Sequence, residues 1–534
     1  MSGKPILTLL SLFICALGFG QSFAYTTLLK PIRIQGFPGL QSYAYAQHNG
    51  KWLILGGRKE GIHARQPFAS FPVSKNNTDI YVVDIQSRQF WQASLENLPT
   101  PLKEQLSATN INFYQQEDTL YMAGGYGYSS IAGDHITFAN LTTLIVSEVI
   151  NAIINQIDYT AYMKQISDPV FAVTGGQLGM IKNKFYLVGG QKFDGRYNPM
   201  GHGTFIQEYT NQVRIFSVNN SNGQLSFHSY SSFTDPVHLR RRDYNLIPQI
   251  FPDRSEGYTI SSGVFQPIED LPFLYPVDIK ENSYQPVTVF NQYLSNYHSA
   301  KIGLYDSLKN QMHTLFFGGI SQYFYKDGVI NHDDGVPFVK TISRLTRNAD
   351  GFLHEYIMPG EMPSLSGAGA ELIPNHTLPH YNSNIIRWNQ VGGDTILLGH
   401  IVGGITSPYA HAFNTNRTSA TYAEPVIYEV NLVKSPDSYA QEVEGGNPYH
   451  FRIFPNPGSG KINLVFELTE PVTVDYFITT ATGQLIKEGR FSALLQGNNS
   501  KAVDLPKVLQ TQTLFITLVF DNRFFVSEKL INKP

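Results

Sequence analysis

Cysteine is nearly absent from this chain: its 534 residues include one, Cys15, close to the N-terminus. Without a cysteine pair the protein builds no internal disulfide and no cysteine-based zinc site, so packing alone must stabilise it. Charge is sparse as well. Asp, Glu, Lys and Arg make up 15% of the residues, against about a quarter in ordinary soluble proteins. The formal net charge is −3, with no basic stripe and no polybasic tail, which argues against nucleic acid and anionic membrane as partners. Beyond the first residues no run of roughly 18 or more apolar residues occurs, so no membrane-spanning helix is expected. Motifs that carry chemistry are missing too: there is no HExxH, no GxSxG and no paired Cys/His ligand set. No cofactor and no metal are expected.

Glycine, by contrast, is abundant and placed in pairs. Five strand-like runs end in Gly-Gly: Trp52–Gly57, Leu120–Gly125, Phe185–Gly190, Leu315–Gly319 and His400–Gly404. In four of them a second β-rich run begins at a fixed distance. Gly57 to Ile80, Gly190 to Val213, Gly319 to Ile342 and Gly404 to Ile427 each span 23 positions. A degenerate copy, Gly257–Gly263, keeps one glycine of the pair and leads after a shorter loop into Leu274–Tyr284. Such a recurrence marks a repeat architecture of six units. The unit is an apolar strand buried on both faces, a glycine pair allowing close backbone approach, then a strand of alternating pattern and an aromatic strand. Ile80–Trp91, turning at Gln86-Ser87-Arg88, is the clearest instance.

This pattern, over about residues 38 to 432, resembles the kelch repeat. Trp91 alone holds the usual fourth-strand tryptophan place. The resemblance implies an all-β fold, a six-bladed kelch-type β-propeller over 25–434, in which Leu28–Ile34 supplies the last strand of the sixth blade. It also implies where a site lies: at the channel mouth, ringed by loops. The copper enzymes of the kelch group use a Cys cross-linked to a Tyr, a route closed to a mature chain without cysteine. Sialic-acid epimerases of this fold use an Arg and a carboxylate there, parts that Arg242 with Asp243 or His298 could take.

The long loops gather candidate site residues on one face: Arg58, His63 and Arg65; Asp194, Arg196, Tyr197 and His202; Tyr323, Tyr325, His332, Asp333 and Asp334; Tyr409 and His411. Solvated loop tips are the plainer account of any one of them. The sharper cluster is His238–Asn245, HLRRRDYN, where the innermost strand of the fourth unit should begin. If that segment is a strand, Arg240 and Arg242 share a face and Arg241 points away. Guanidinium forks aimed into a channel suit a carboxylate or acidic sugar, and an internal pair between Arg242 and Asp243 is the plainer alternative. Two other motifs fail on context. Asn331–Gly335 lacks the alternating acids of a calcium loop, and Val173–Gly179 is followed by a strand, not the helix a phosphate loop needs. Leu144–Ile157 carries apolar residues at helical spacing, the pattern of a helix packed on the propeller or of a strand running into one. The reading favoured is a surface or secreted binding propeller, with a glycan or protein ligand, over an enzyme.

The two ends speak to localisation. Residues 1–24 read as an export signal: Lys4, a 15-residue mainly apolar stretch Pro5–Phe19, and small residues suited to cleavage after Gly20 or Ala24. Residues 435–449 are polar and unpatterned, as in a linker. Residues 450–534 read as a small β-sandwich of short strands and turns. Pro455-Asn456-Pro457 with Gly460, Gly483-Gln484-Leu485-Ile486, and Lys529-Leu530-Ile531 next to the end resemble the type A sorting domain of the bacterial type IX secretion system. Thr513-Leu514-Phe515 stands where that family commonly has Gly-x-Tyr. The resemblance implies passage through the periplasm to the surface or exterior of a Gram-negative cell, with the type IX machinery as partner.

Overall fold

A computed structural model describes residues 23–534 apart from 67, 199–202, 221–222, 268, 436–439, 444–448, 469, 481–484, 493, 508–510 and 522–523, with backbone alone at 524–525. Most of the export segment, with Cys15, and the candidates His202 and Gly483 lie outside the described residues.

The region up to residue 434 is all-β and propeller-like, built as sheets that follow one another along the chain. The first sheet orders Ala44–His48, Lys51–Leu55, Asp79–Asp84 and Gln89–Ser94. The second orders Asn112–Gln116, Thr119–Ala123, Asn140–Ile145 and Met163–Ser167; the third, Gln177–Ile181, Lys184–Val188, Gln212–Asn219 and Ser226–Thr234. The fourth has Asn245–Ile250, Glu256–Ser261, Val277–Lys280 and Ser283–Pro286, and the fifth centres on Ala300–Asp306, Gln311–Ile320, Phe338–Arg347 and Leu353–Glu361. The sixth runs Leu365–Pro374, Thr395–Ser407, Ile427–Lys434 and then returns to the N-terminus, because Tyr25–Ile32 pairs antiparallel with Ile427–Lys434.

Neighbouring sheets are joined by packing and by the glycine pairs. Apolar clusters fill the junctions of first with second (Leu53, Leu120), second with third (Tyr121, Phe185), third with fourth (Val188, Ile260), fourth with fifth (Ile247, Phe316) and fifth with sixth (Phe317, Leu372). A further cluster, holding Ile54, Val83, Ile373 and Val402, joins the sixth back to the first. Each glycine pair sits at such a junction with both φ values positive, and in the fourth sheet Ser262, at φ 58°, takes the missing glycine's place. The second glycine donates its N–H to the next sheet: Gly57 to Ala108 O (2.8 Å), Gly125 to Val173 O (3.0 Å), Gly190 to Arg241 O (2.7 Å), Gly263 to Asn296 O (3.1 Å) and Gly404 to Leu40 O (2.8 Å). There is no room for anything larger: a Cβ on Gly124 would lie 1.9 Å from Val173 O.

The helical pattern resolves into a strand, Asn140–Ile145, running into a helix, Val146–Ile154. Val146, Val149, Ile150 and Ile153 are buried in the cluster between the first two sheets, while Ile157 lies beyond the helix, exposed. The segment read as a linker contains a short strand. Gln441–Val443 pairs with Leu353–Glu361 on the outer edge of the fifth sheet, and Val443 packs beside Ile357 and Tyr293.

Beyond it, Arg452–Phe454, Lys461–Leu468 and Gly497–Asp504 form one sheet, and Leu485–Phe491, Val474–Thr480, Gln512–Phe520 and Phe524–Asn532 form another. A single apolar core, including Phe451, Leu464, Ile478, Leu514 and Leu530, draws on both. The two ends of this region meet: Asn456 Nδ2 donates to Lys529 O (2.6 Å), and Ile531 N donates to Asn456 Oδ1 (3.1 Å).

Candidate functional site

Just ahead of each first strand, or within it in the sixth sheet, one residue faces its counterparts in the neighbouring sheets: Ser42, Asn110, Gly175, Asp243, His298 and Gly369. Their backbones are bonded in series, from Asn110 N to Ser42 O, Ser42 N to Gly369 O, Gly369 N to His298 O, His298 N to Asp243 O and Asp243 N to Gly175 O, at 2.8–3.0 Å. All but His298 have φ between 49° and 67°, a region that Gly, Asn, Asp and Ser enter more easily than bulky or β-branched residues. The series forms a waist. Ser42, Asn110, Asp243 and His298 border a cavity on either side of it.

The wider cavity, a funnel of about 740 Å³, opens on the side of the long loops and draws lining from every sheet. Its walls are aromatic, with Phe71, Tyr126, Tyr197, Phe265, Tyr297 and Phe413 among them. His63 stacks on Phe71 with ring centroids 4.6 Å apart and meets Tyr197 edge-on at 4.7 Å. Burial lowers its pKa to about 4, against the opposing hydrogen bond to Ala64 O, so it is neutral at physiological pH.

Arg242 lies at the bottom of the funnel. Its Nε donates to Tyr209 OH (3.1 Å), Nη1 pairs with Asp243 Oδ2, and the guanidinium sits over the Phe265 ring. Burial alone would lower its pKa, but Tyr209, Asp243 and Tyr297 outweigh that and push it up. Arg242 is thus paired internally and also borders the cavity. The arginine run itself is not a strand. The strand starts at Asn245, and only an isolated bridge from Arg242 to Val264 precedes it. Arg240 nevertheless lies on the side of Arg242, over the Tyr209 ring at 3.9 Å with Nη1 donating to Phe265 O, but it does not border the funnel. Arg241 points away, fully buried between Phe273 and Tyr275, and donates to Ser262 O and Tyr275 O.

Of the loop candidates, His63, Tyr197, Asp334 and His411 border the funnel, and Asp333 lies 3.0 Å from His411 Nε2. Others serve the loops' own folding. Arg58 pairs with Glu60 under Phe71, Arg65 donates to Asn414 O, Arg196 to Phe68 O, and Asp194 pairs with Lys192. Tyr323 and Tyr325 pack beside Tyr293, His332 pairs with Asp334, and Tyr409 lies under Arg417.

The narrower cavity, about 180 Å³, is the lumen beyond the waist. Sequence reasoning missed its charged lining, Lys301 and Glu371. Glu371 Oε1 is 2.9 Å from His298 Nε2, at an angle outside hydrogen-bond geometry. Burial opposes its charge, but His298 and Lys301 outweigh burial and hold its pKa below the usual glutamate range. Burial lowers the Lys301 pKa, with Glu371 opposing. A charged residue a few positions past the waist residue of a first strand is the signal that could have found both.

Chemically, the funnel offers aromatic faces for stacking, a fixed cation at Arg242, and the carboxylate and imidazole of Asp243 and His298 at the waist. Among the described residues no group of three or more His, Cys, Asp or Glu is placed to hold a metal ion. No protein-family model matches the chain, and no curated protein matches it. Among solved structures, the structure of YjhT aligns with 13% identity and a TM-score of 0.42, covering 77% of this chain and 99% of that one. A glycoside hydrolase family 43 arabinoxylan arabinofuranohydrolase from Bacillus subtilis, in complex with cellotetraose, aligns with 10% identity and a TM-score of 0.29, covering 93% and 96%. At these scores the function rests on the site itself.

Proposed function

We propose that the chain is a secreted or surface-held six-bladed kelch-type propeller that binds a glycan, or a protein through its glycan, in the funnel. The observation that carries this is the convergence of an aromatic wall on Arg242, an arrangement that stacks sugar rings and fixes one carboxylate or hydroxyl face. A glycan array tests it, followed by titration of each hit against Arg242→Ala and Tyr197→Ala. Both variants should weaken binding by about tenfold or more, roughly 1.4 kcal/mol. No hit on the array, or hits indifferent to both variants, would overturn it. A second reading is favoured by the adjacency of Asp243 and His298 beneath Arg242, groups able to move a proton between faces of a bound sugar. In that case the protein is a sugar-modifying enzyme of the sialic-acid epimerase kind. Loss of mutarotation in Asp243→Asn with binding retained would support it.

We further propose that Phe451–Pro534 is a β-sandwich sorting module read by the type IX secretion machinery. In support, Asn456 of the Pro-Asn-Pro motif is hydrogen-bonded to the Lys529–Ile531 segment, so motif pieces from both ends of the region form one surface. No helix among the described residues is long and apolar enough to cross a membrane. Deleting the module should leave a folded propeller in the periplasm. Normal arrival of the truncated chain at the surface would exclude the assignment.

A further inference from the structure

The funnel opens toward the long loops and ends at the waist. There the backbones are bonded in series from Asn110 through Ser42, Gly369, His298 and Asp243 to Gly175. Thr174 spans the one remaining gap, its Oγ1 donating to Asn110 O (3.4 Å). Even the two glycines of this ring stand against a neighbour's side chain. A Cβ on Gly175 would lie 3.0 Å from Asp243 Oδ1, and one on Gly369 would lie 2.8 Å from Ser42 Oγ. Funnel and lumen are accordingly separate cavities, one on each side.

The groups fit to hold a ligand are gathered at this closed end. Arg242 directly precedes the waist residue Asp243, and its side chain is only 16% exposed. Tyr209 and Asp243 engage its Nε and Nη1, while no hydrogen bond among the described residues takes Nη2. Tyr297, next to His298 in the chain, and Tyr197 border the same space. Neither of their hydroxyls is hydrogen-bonded among the described residues. A polymer lying across the mouth would touch the loops and leave these donors unmet. A polymer threaded through would have to pass the bonded ring.

We infer that the funnel takes the free end of a glycan chain and rejects its interior. This rests on the glycan reading above and specifies which part of the chain is bound. The aromatic walls stack the last sugar units, and the terminal unit presents a carboxylate or hydroxyl to Arg242 Nη2. An interior unit carries a linkage on both sides, and at the waist the second linkage has nowhere to go.

The test uses polygalacturonate, hyaluronate and xylan, each intact and after partial hydrolysis, so that the mass of sugar is constant and only the number of chain ends changes. Calorimetric titration of the full chain gives the protein bound per gram. Because one pocket takes one end, chains cut to roughly a tenth of their length should bind about tenfold more protein per gram. The gain should be lost in Arg242→Ala and in Tyr197→Ala. Equal capacity before and after cutting would overturn the inference and leave the glycan reading standing; a gain that both variants keep would overturn it as well. Absence of binding to all three in either form also counts against it, and an empty glycan array beside that result removes the glycan reading too. The ratio of capacities is read in the unaltered protein, so it decides the matter even where a variant fails to fold.

Discussion

The circle of sheets before residue 434 and the paired sheets after Phe451 are both antiparallel β, yet they hold together in different ways. The C-terminal region has one apolar core fed by both sheets, and its strands alternate inside and outside, as Lys461–Leu468 does. The circle divides its apolar residues among several junctions, and backbone meets backbone at each glycine pair with no slack. One region depends on side-chain volume and the other on the lack of it. A core of side chains tolerates a deletion by partial collapse, whereas a junction of backbones tolerates no addition.

The largest effect should therefore come from a single methyl group. Gly124→Ala, at φ 67° and with its Cβ 1.9 Å from Val173 O, should cost more than about 4 kcal/mol. In calorimetry it should lower or remove the transition of the circle while that of the C-terminal region stays put; both moving together would break the distinction between the two. Leu514→Ala, which removes a fully buried side chain from the C-terminal core, should cost about 2–5 kcal/mol and shift only the other transition.

Glu355 should act through pH. It is 2% exposed, accepts from Tyr293 N and Leu294 N, and burial pushes its pKa up to about 8. The folded chain thus binds this proton more tightly than the unfolded one, so the contribution to stability is complete at low pH and is lost as pH rises through about 8. Urea midpoints at pH 5, 7 and 9 should show that decline for the circle, and Glu355→Gln should flatten it. The smallest effect belongs to Asn456→Ala, where two exposed hydrogen bonds are lost for about 1 kcal/mol. It should appear in the C-terminal transition without touching the circle.

The repeat was legible because glycine pairs at junctions leave a mark few other residues can replace, and a spacing of 23 survived through loops of unrelated sequence. Ser262 shows the limit of that mark: a serine holds the left-handed position, so the fourth unit read as degenerate although its sheet is complete. The hairpins inside the loops, Tyr126–Thr137 and Gln191–Tyr209 among them, were not legible, since they fold against one another and not on a core of their own. The order of Gln441–Val443 was hidden for a similar reason: it borrows a sheet edge that belongs to residues nearly 90 positions away. For the site, Arg242 stood out because three arginines in a row are conspicuous. Lys301 and Glu371 did not, because each is a single charge between apolar neighbours in the sequence, and only the packing of the fifth sheet against the sixth puts them beside the same cavity.

The pairing of Tyr25–Ile32 with Ile427–Lys434 also has a temporal side. During synthesis Tyr25–Ile32 has no partner until some four hundred residues have followed it. Contacts of that sequence separation form slowly and leave strand edges open meanwhile. That seam stays undone while the rest of the region is made, and it can be sewn only at the end.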